Sequence, residues 1–261
     1  MNKPDFNKRM LELCRTVTPG EKLLLHSCCG PCSSRCLETL KEYFKVTVLF
    51  YNPNITDPAE YEKRKGEQLR FLRETGWADF LDCDYAPQEF FSYVRGLEGE
   101  KEGGARCYKC YRLRLEKTAQ LAKEGGYGWF CSTLSVSPHK NAAWLNELGE
   151  EIEKRTGVRW LYSDFKKENG YLRSVRLAQE HNLYRQNYCG CIFSDWAKIL
   201  LCKQEKDFFV KCAQKRLTNR HKSDIINTTK MVAIKGGGYE TFIQIAIRVK
   251  GVLHSCAELS A

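Results

Sequence analysis

Apolar residues along the first two hundred positions fall into short runs of two kinds. Some runs are continuous and rich in β-branched or aromatic residues. Others repeat every three or four positions. Lys22–Ser27 (KLLLHS) is a continuous run that stops at Cys-Cys-Gly-Pro-Cys, and it predicts a buried strand. Val46–Tyr51 predicts a second strand, broken by Asn52-Pro53-Asn54. Asp79–Tyr85, Trp129–Thr133 and Arg159–Ser163 predict a third, fourth and fifth. Helical spacing predicts helices between them. Ser33–Tyr43 carries Leu37, Leu40 and Phe44 on one side. Asp57-Pro58-Ala59-Glu60 is a helix start, with Asp as N-cap and Pro in the first helical position; that helix runs to Thr75 and stops at Gly76. Pro87–Arg95, Cys107–Lys123, Asn141–Thr156 and Tyr171–His181 follow, and Ser194 can cap a last helix through Leu217.

Strands alternating with helices imply an α/β fold with a doubly wound parallel sheet. Such sheets bind ligands outside the carboxyl ends of their strands. The chain therefore divides into an α/β domain, 1–217, and a C-terminal extension, 218–261. The extension holds Gly236-Gly237-Gly238 and an apolar run, Phe242–Val249, that reads equally as a strand or a short helix. A further glycine-rich stretch, Gly96–Ala105, is a loop open to motion.

Charge and cysteine content narrow the class. The 261 residues carry a formal charge of +10 and 14 cysteines. A chain of this size buries enough surface to fold without staples. Its cysteine share lies below the roughly 8–10% of small disulfide scaffolds. Met1–Thr18 is charged throughout, with no apolar core of a secretory signal. No window holds the ~18 apolar residues of a membrane span. The expected compartment is the cytoplasm, where thiols stay reduced. Residues 203–261 hold 11 Lys plus Arg against 5 Asp plus Glu, so much of the positive excess lies in the extension. This suits either a peripheral appendage or a basic grip on RNA.

The cysteines cluster. Cys28, Cys29, Cys32 and Cys36 fall in HSCCGPCSSRC, Cys107 and Cys110 form C-x-x-C, and Cys189 and Cys191 form C-x-C. Cys14, Cys83, Cys131, Cys202, Cys212 and Cys256 stand alone and read as small buried hydrophobes. A Cys-Cys pair plus a C-x-x-C supplies four thiolates, which suit zinc or an iron–sulfur cluster. Thiolates at a helix N-terminus are favoured by the helix dipole. Adjacent cysteines diverge in extended backbone and match a zinc knuckle poorly, which favours iron–sulfur. Cys189 and Cys191 fit either a small, easily reduced disulfide or two ligands of a second metal. Cys32 can join either arrangement.

HSCCGPC, YNPNI with the following EY, CYKCYRLRLEKTA, STLSVSPHKN and LYRQNYCGCIFS, in that order, resemble the epoxyqueuosine reductase QueH family over Lys22–Ser194. The resemblance implies a cobalamin-independent, iron–sulfur oxidoreductase. It would remove the epoxide oxygen from epoxyqueuosine at the wobble position of tRNA. It implies a [4Fe–4S] cluster on Cys28, Cys29, Cys107 and Cys110, and a redox-active pair at Cys189 and Cys191, as a disulfide or beside an adjacent iron. It implies a position for one additional iron ion at Cys32. It implies the nucleotide alpha-hydrolase (HUP/PP-loop-like) fold, tRNA as partner and a separate electron donor. Where ATP-using relatives of that fold carry a glycine-rich phosphate loop, this chain has Ser27-Cys28-Cys29-Gly30-Pro31-Cys32. That disfavours an ATP-dependent iron–sulfur tRNA thiolase; the C-x-C disfavours a non-catalytic, zinc-stabilised RNA-binding protein. Asp164, Tyr188 and His139 are candidate proton donors. Arg112, Arg114, Arg173, Arg176 and Arg185, interleaved with Tyr108, Tyr111, Tyr171, Tyr184 and Tyr188, are candidate RNA contacts.

Overall fold

The computed structural model of the chain describes residues 4–194 and, separately, the backbone of the strands Ala246–Val249 and Val252–Ser255. In the first group five strands form one parallel sheet: β1 (Lys22–His26), β2 (Lys45–Leu49), β3 (Asp79–Leu81), β4 (Trp129–Ser132) and β5 (Arg159–Trp160). Their spatial order is β3-β2-β1-β4-β5, so the chain leaves β1 in one direction and later returns to its other side. The doubly wound expectation holds.

Helices cover both faces: α1 (Phe6–Thr16), α2 (Gly30–Leu40), α3 (Pro58–Thr75), α4 (Pro87–Tyr93), α5 (Ala105–Glu124), α6 (Ala142–Thr156) and α7 (Gly170–Glu180). Strand alternation sorts the core. Leu23 and Leu25 of β1 face Cys36, Leu37 and Leu40 of α2 and Phe71 of α3. Leu24 faces the other way, with Leu115 and Ala119 of α5 and Leu148 and Ile152 of α6. Both faces are dry, which is why β1 reads as a continuous apolar run.

Several boundaries differ from the periodicity. α1 was not expected. Its signal is present: Asp5 caps it through backbone donors of Asn7 and Lys8, and Met10 and Cys14 are buried four residues apart. α2 begins at Gly30, three residues earlier than expected, because Cys29 is its extended N-cap and Pro31 suits the first turn. Cys32 and Cys36 therefore lie on a helix. β3 and β5 are shorter than their apolar runs, and β4 passes into a short 3₁₀ helix, Thr133–Val136. Asp57 caps α3, which ends at left-handed Gly76, as the sequence indicates. The apolar run of the extension contributes Ala246–Val249, a strand paired antiparallel with Val252–Ser255. The expected helix after Ser194 and most of 218–261 lie outside the described residues.

Candidate thiol site at the sheet's switch point

β1 and β4 are neighbours, and the chain departs from their carboxyl ends in opposite directions. That is the crevice the topology prepares. Cys28 follows β1 directly, and Thr133 follows β4. Cys28 Sγ lies 3.7 Å from Thr133 Oγ1 and 3.7 Å from Cys29 Sγ. The sulfurs of Cys28, Cys29 and Cys32 all lie within 4.8 Å of one another, a group that could hold a metal ion. Hydrogen bonds from the Cys29 and Cys32 thiols hold Cys28 well below the usual thiol range. The same contacts push Cys29 up to about 12 and Cys32 upward as well.

The turn that presents these thiols is pinned from beneath. Ser27 Oγ and Ser33 Oγ both donate to Gln68 Oε1 of α3, at 2.8 and 2.7 Å. His26, wholly buried, has Nε2 3.0 Å from the Tyr51 carbonyl and Nδ1 2.9 Å from Ser132 Oγ. A carbonyl only accepts, so Nε2 carries the proton and Nδ1 accepts from the serine. Burial, then Arg114, lower its pKa to about 3, so the ring is neutral.

The other two motifs meet in a cavity beside this turn. Cys107 and Cys110, in the first two turns of α5, line it together with Cys189 and Cys191. Phe90 and Val94 pack against Cys110 and Cys191, with Phe91 and Phe193 at the rim. Among the described residues every cysteine is a free thiol. A hydrogen bond from Cys191, aided by Lys140 and opposed by burial, brings Cys189 down to about 6. Cys191 is raised by that same bond.

Three cations, Arg106, Arg114 and Lys140, and one carboxylate, Glu102, line the cavity. Arg114 is only 3% exposed. Its one side-chain hydrogen bond runs from Nε to the Cys110 carbonyl, and it makes no ion pair with a carboxylate among the described residues. Burial opposes its charge, but the thiols of Cys110 and Cys28 outweigh that and raise its pKa. Burial opposes the Lys140 charge too, and Cys189 outweighs it. A buried guanidinium without a carboxylate calls for some other anion. Cys28, held well below the usual thiol range, supplies negative charge, whereas burial raises the Cys110 thiol. The thiols fit a metal ion at one point: Cys28, Cys29 and Cys32 converge there, while Cys107, Cys110, Cys189 and Cys191 share the adjoining cavity with charged Arg106, Arg114, Lys140 and Glu102.

Arg106 and Arg64, neither expected from motif reading, shape the site. Buried Arg106 donates from Nη1 to the carbonyls of Leu97, Glu98 and Glu100, and from Nη2 to Phe193 O at 3.0 Å. The glycine-rich loop is thus gathered around one guanidinium. Arg64, 2% exposed, pairs with Glu60. Sequence did carry a signal: Tyr61, Arg64, Gln68 and Phe71 share the buried face of α3, so two polar residues occupy apolar phase.

The remaining candidates fare differently. Asp164 is buried and paired with Lys166 at 2.6 Å, His139 is exposed, and Tyr188 is half-buried; none of the three lines the cavity. Tyr111 and Arg114 do line it. Arg112 is committed to Glu151, and Arg173 to Glu38 and Glu180. Tyr184 bonds to Glu60 and stacks under Lys63. Arg185 donates to the Ser174 carbonyl, and Tyr171 is exposed.

A parallel α/β sheet with thiol clusters beyond its carboxyl edge, one of them able to hold a metal ion, defines a thiol-rich α/β protein. Residues 23–197 match the family model described as "Epoxyqueuosine reductase QueH". Curated relatives of that name include one from Streptococcus pyogenes serotype M1, 44% identical over 203 residues, covering 76% of this chain and 80% of that protein. Another, from Thermotoga maritima, is 36% identical over 187 residues, covering 70% of this chain and 93% of that protein. The chain belongs to the epoxyqueuosine reductase QueH family.

Proposed function

We propose that this chain reduces epoxyqueuosine to queuosine at the wobble position of a tRNA anticodon. We assign a [4Fe–4S] cluster to Cys28, Cys29, Cys107 and Cys110, and the redox-active role to Cys189 and Cys191. Cys32, beside Cys28 and Cys29, is assigned to an additional iron ion. One observation carries the reading: buried Arg114, with no carboxylate ion pair among the described residues, lies in the wall of the cavity shared by Cys107, Cys110, Cys189 and Cys191. The relatives' name, epoxyqueuosine reductase, supplies the substrate.

Converting an epoxide to an alkene takes two electrons and two protons, and the oxygen leaves as water. A [4Fe–4S] cluster, when bound, supplies electrons singly, from a separate donor. The protein's own part is positioning and charge. Arg114 and Lys140 stabilise negative charge on the thiol side of the cavity. Lys140 Nζ holds a proton next to Cys189. Phe90, Val94 and Phe193 keep water away from Cys191, which strengthens each of these interactions.

The test is anaerobic purification followed by iron and sulfide analysis, an absorption spectrum and nucleoside mass spectrometry of tRNA rich in epoxyqueuosine. Wild-type protein should carry iron and sulfide and convert the nucleoside. Cys191→Ser should keep its iron and lose conversion. A colourless protein holding only zinc would sink the cluster; full turnover by Cys191→Ser would remove the pair from the reaction.

A further inference from the structure

The backbone of the C-x-C loop is gripped from one side by Asn54 and Thr56 and by Arg64 of α3. Arg64 Nη2 donates to the Tyr188 carbonyl at 3.2 Å, and Nη1 to the Cys189 carbonyl at 3.3 Å. Asn54 Nδ2 donates to the same Cys189 carbonyl at 3.2 Å. The backbone N–H of Thr56 donates to the Gly190 carbonyl at 3.1 Å. Three consecutive carbonyls thus point towards α3 and the turn before it. Gly190 has φ +91°, and a Cβ there would sit 2.8 Å from Ile55 Cγ1. The loop is pressed flat on that turn, and only its two thiol side chains reach the cavity.

We infer that Arg64 is the positioning residue for the Cys189/Cys191 pair. Its planar fork reaches two successive carbonyls while Nε pairs with Glu60 Oε1 at 2.6 Å. No other side chain offers that combination; lysine has a single ammonium at its tip. The Glu60 carboxylate fixes the fork from behind and also accepts from the Tyr184 hydroxyl at 3.2 Å. Arg64 touches no reacting atom. It acts by holding both sulfurs in one orientation, and its effect on turnover rests on the reading of Cys189 and Cys191 as the working pair.

The experiment uses full-length protein, purified anaerobically, in three forms: Arg64→Met, Arg64→Lys and the double variant Glu60→Gln/Arg64→Met. The double variant removes both charges, so no carboxylate is left buried alone. Iodoacetamide labelling is followed by peptide mass spectrometry, with buried Cys14 and Cys131 as internal controls for folding. Arg64→Met should lose the protection of Cys191 while Cys14 and Cys131 stay protected. Its kcat should fall about 100-fold, the cost of misplacement near a reacting centre, with KM for tRNA little changed. Arg64→Lys should restore part of both. If Arg64→Met also exposes Cys14 and Cys131, the double variant is judged by the same criteria. A folded variant with wild-type protection of Cys191 overturns the inference. Lost protection with unchanged kcat supports the clamp but overturns the catalytic reading of the pair.

Discussion

At Cys14 the thiol is enclosed by apolar neighbours, and burial pushes its pKa up to about 11. At Cys131 burial raises the value to about 12 despite a hydrogen bond with Ser163. These two sulfurs are packing atoms, as their isolation in the sequence indicates. Their pKa values in the folded chain lie above the unfolded value of about 9. The unfolded thiol therefore loses its proton first as pH rises. The stability they contribute is complete below about pH 9 and is lost as pH climbs through about 11 for Cys14 and 12 for Cys131. Urea unfolding at pH 7 and pH 10.5 should show a smaller alkaline loss in Cys14→Ala than in wild type. Equal losses would mean that Cys14 does not titrate this way. The clustered thiols differ because each has a sulfur or cation beside it. That contrast was legible, since spacing alone separates clusters from singles. Arg106 was not: its partners are backbone carbonyls, which carry no residue identity to read.

Among the elements, α6 and β5 show how closely a helix can be drawn to the sheet. A Cβ on Gly149 would lie 2.1 Å from the Trp160 ring. Alanine is the better helix former by about 1 kcal/mol, but overpacking a buried contact costs about 1–3 kcal/mol. Gly149→Ala should therefore lower the unfolding free energy by about a kcal/mol; a raised Tm would show that the ring yields. The five strands were legible because both faces of the sheet are dry, which yields continuous apolar runs. The ends were less so. Leu161 donates a last ladder bond to the Phe130 carbonyl, and Tyr162 stays buried beyond it, and burial is what the pattern reports.

Over the whole molecule, charge of +10 suits a polyanionic partner. Sequence suggested five arginines for that purpose. Arg112 and Arg173 are already occupied by carboxylates and Arg114 faces sulfur, so phosphate contact falls to other cations. Binding of tRNA should weaken with salt, with a log–log slope of magnitude at least about 2. Arg112→Ala should leave that slope unaltered. A slope near zero would leave the positive charge without a role in binding.

The guanidinium of Arg106 joins carbonyls at Leu97, Glu98 and Glu100 to one at Phe193. This corner has a timing built into it. A ribosome delivers the first thiols of the site, at Cys28 and Cys29, long before residue 193, and all five sheet strands precede that residue. The scaffold can therefore assemble while one wall of its pocket is still unsynthesised. Only when Phe193 arrives does the loop gain its second anchor, so the compartment around the sulfurs is sealed last, after the frame that supports it exists.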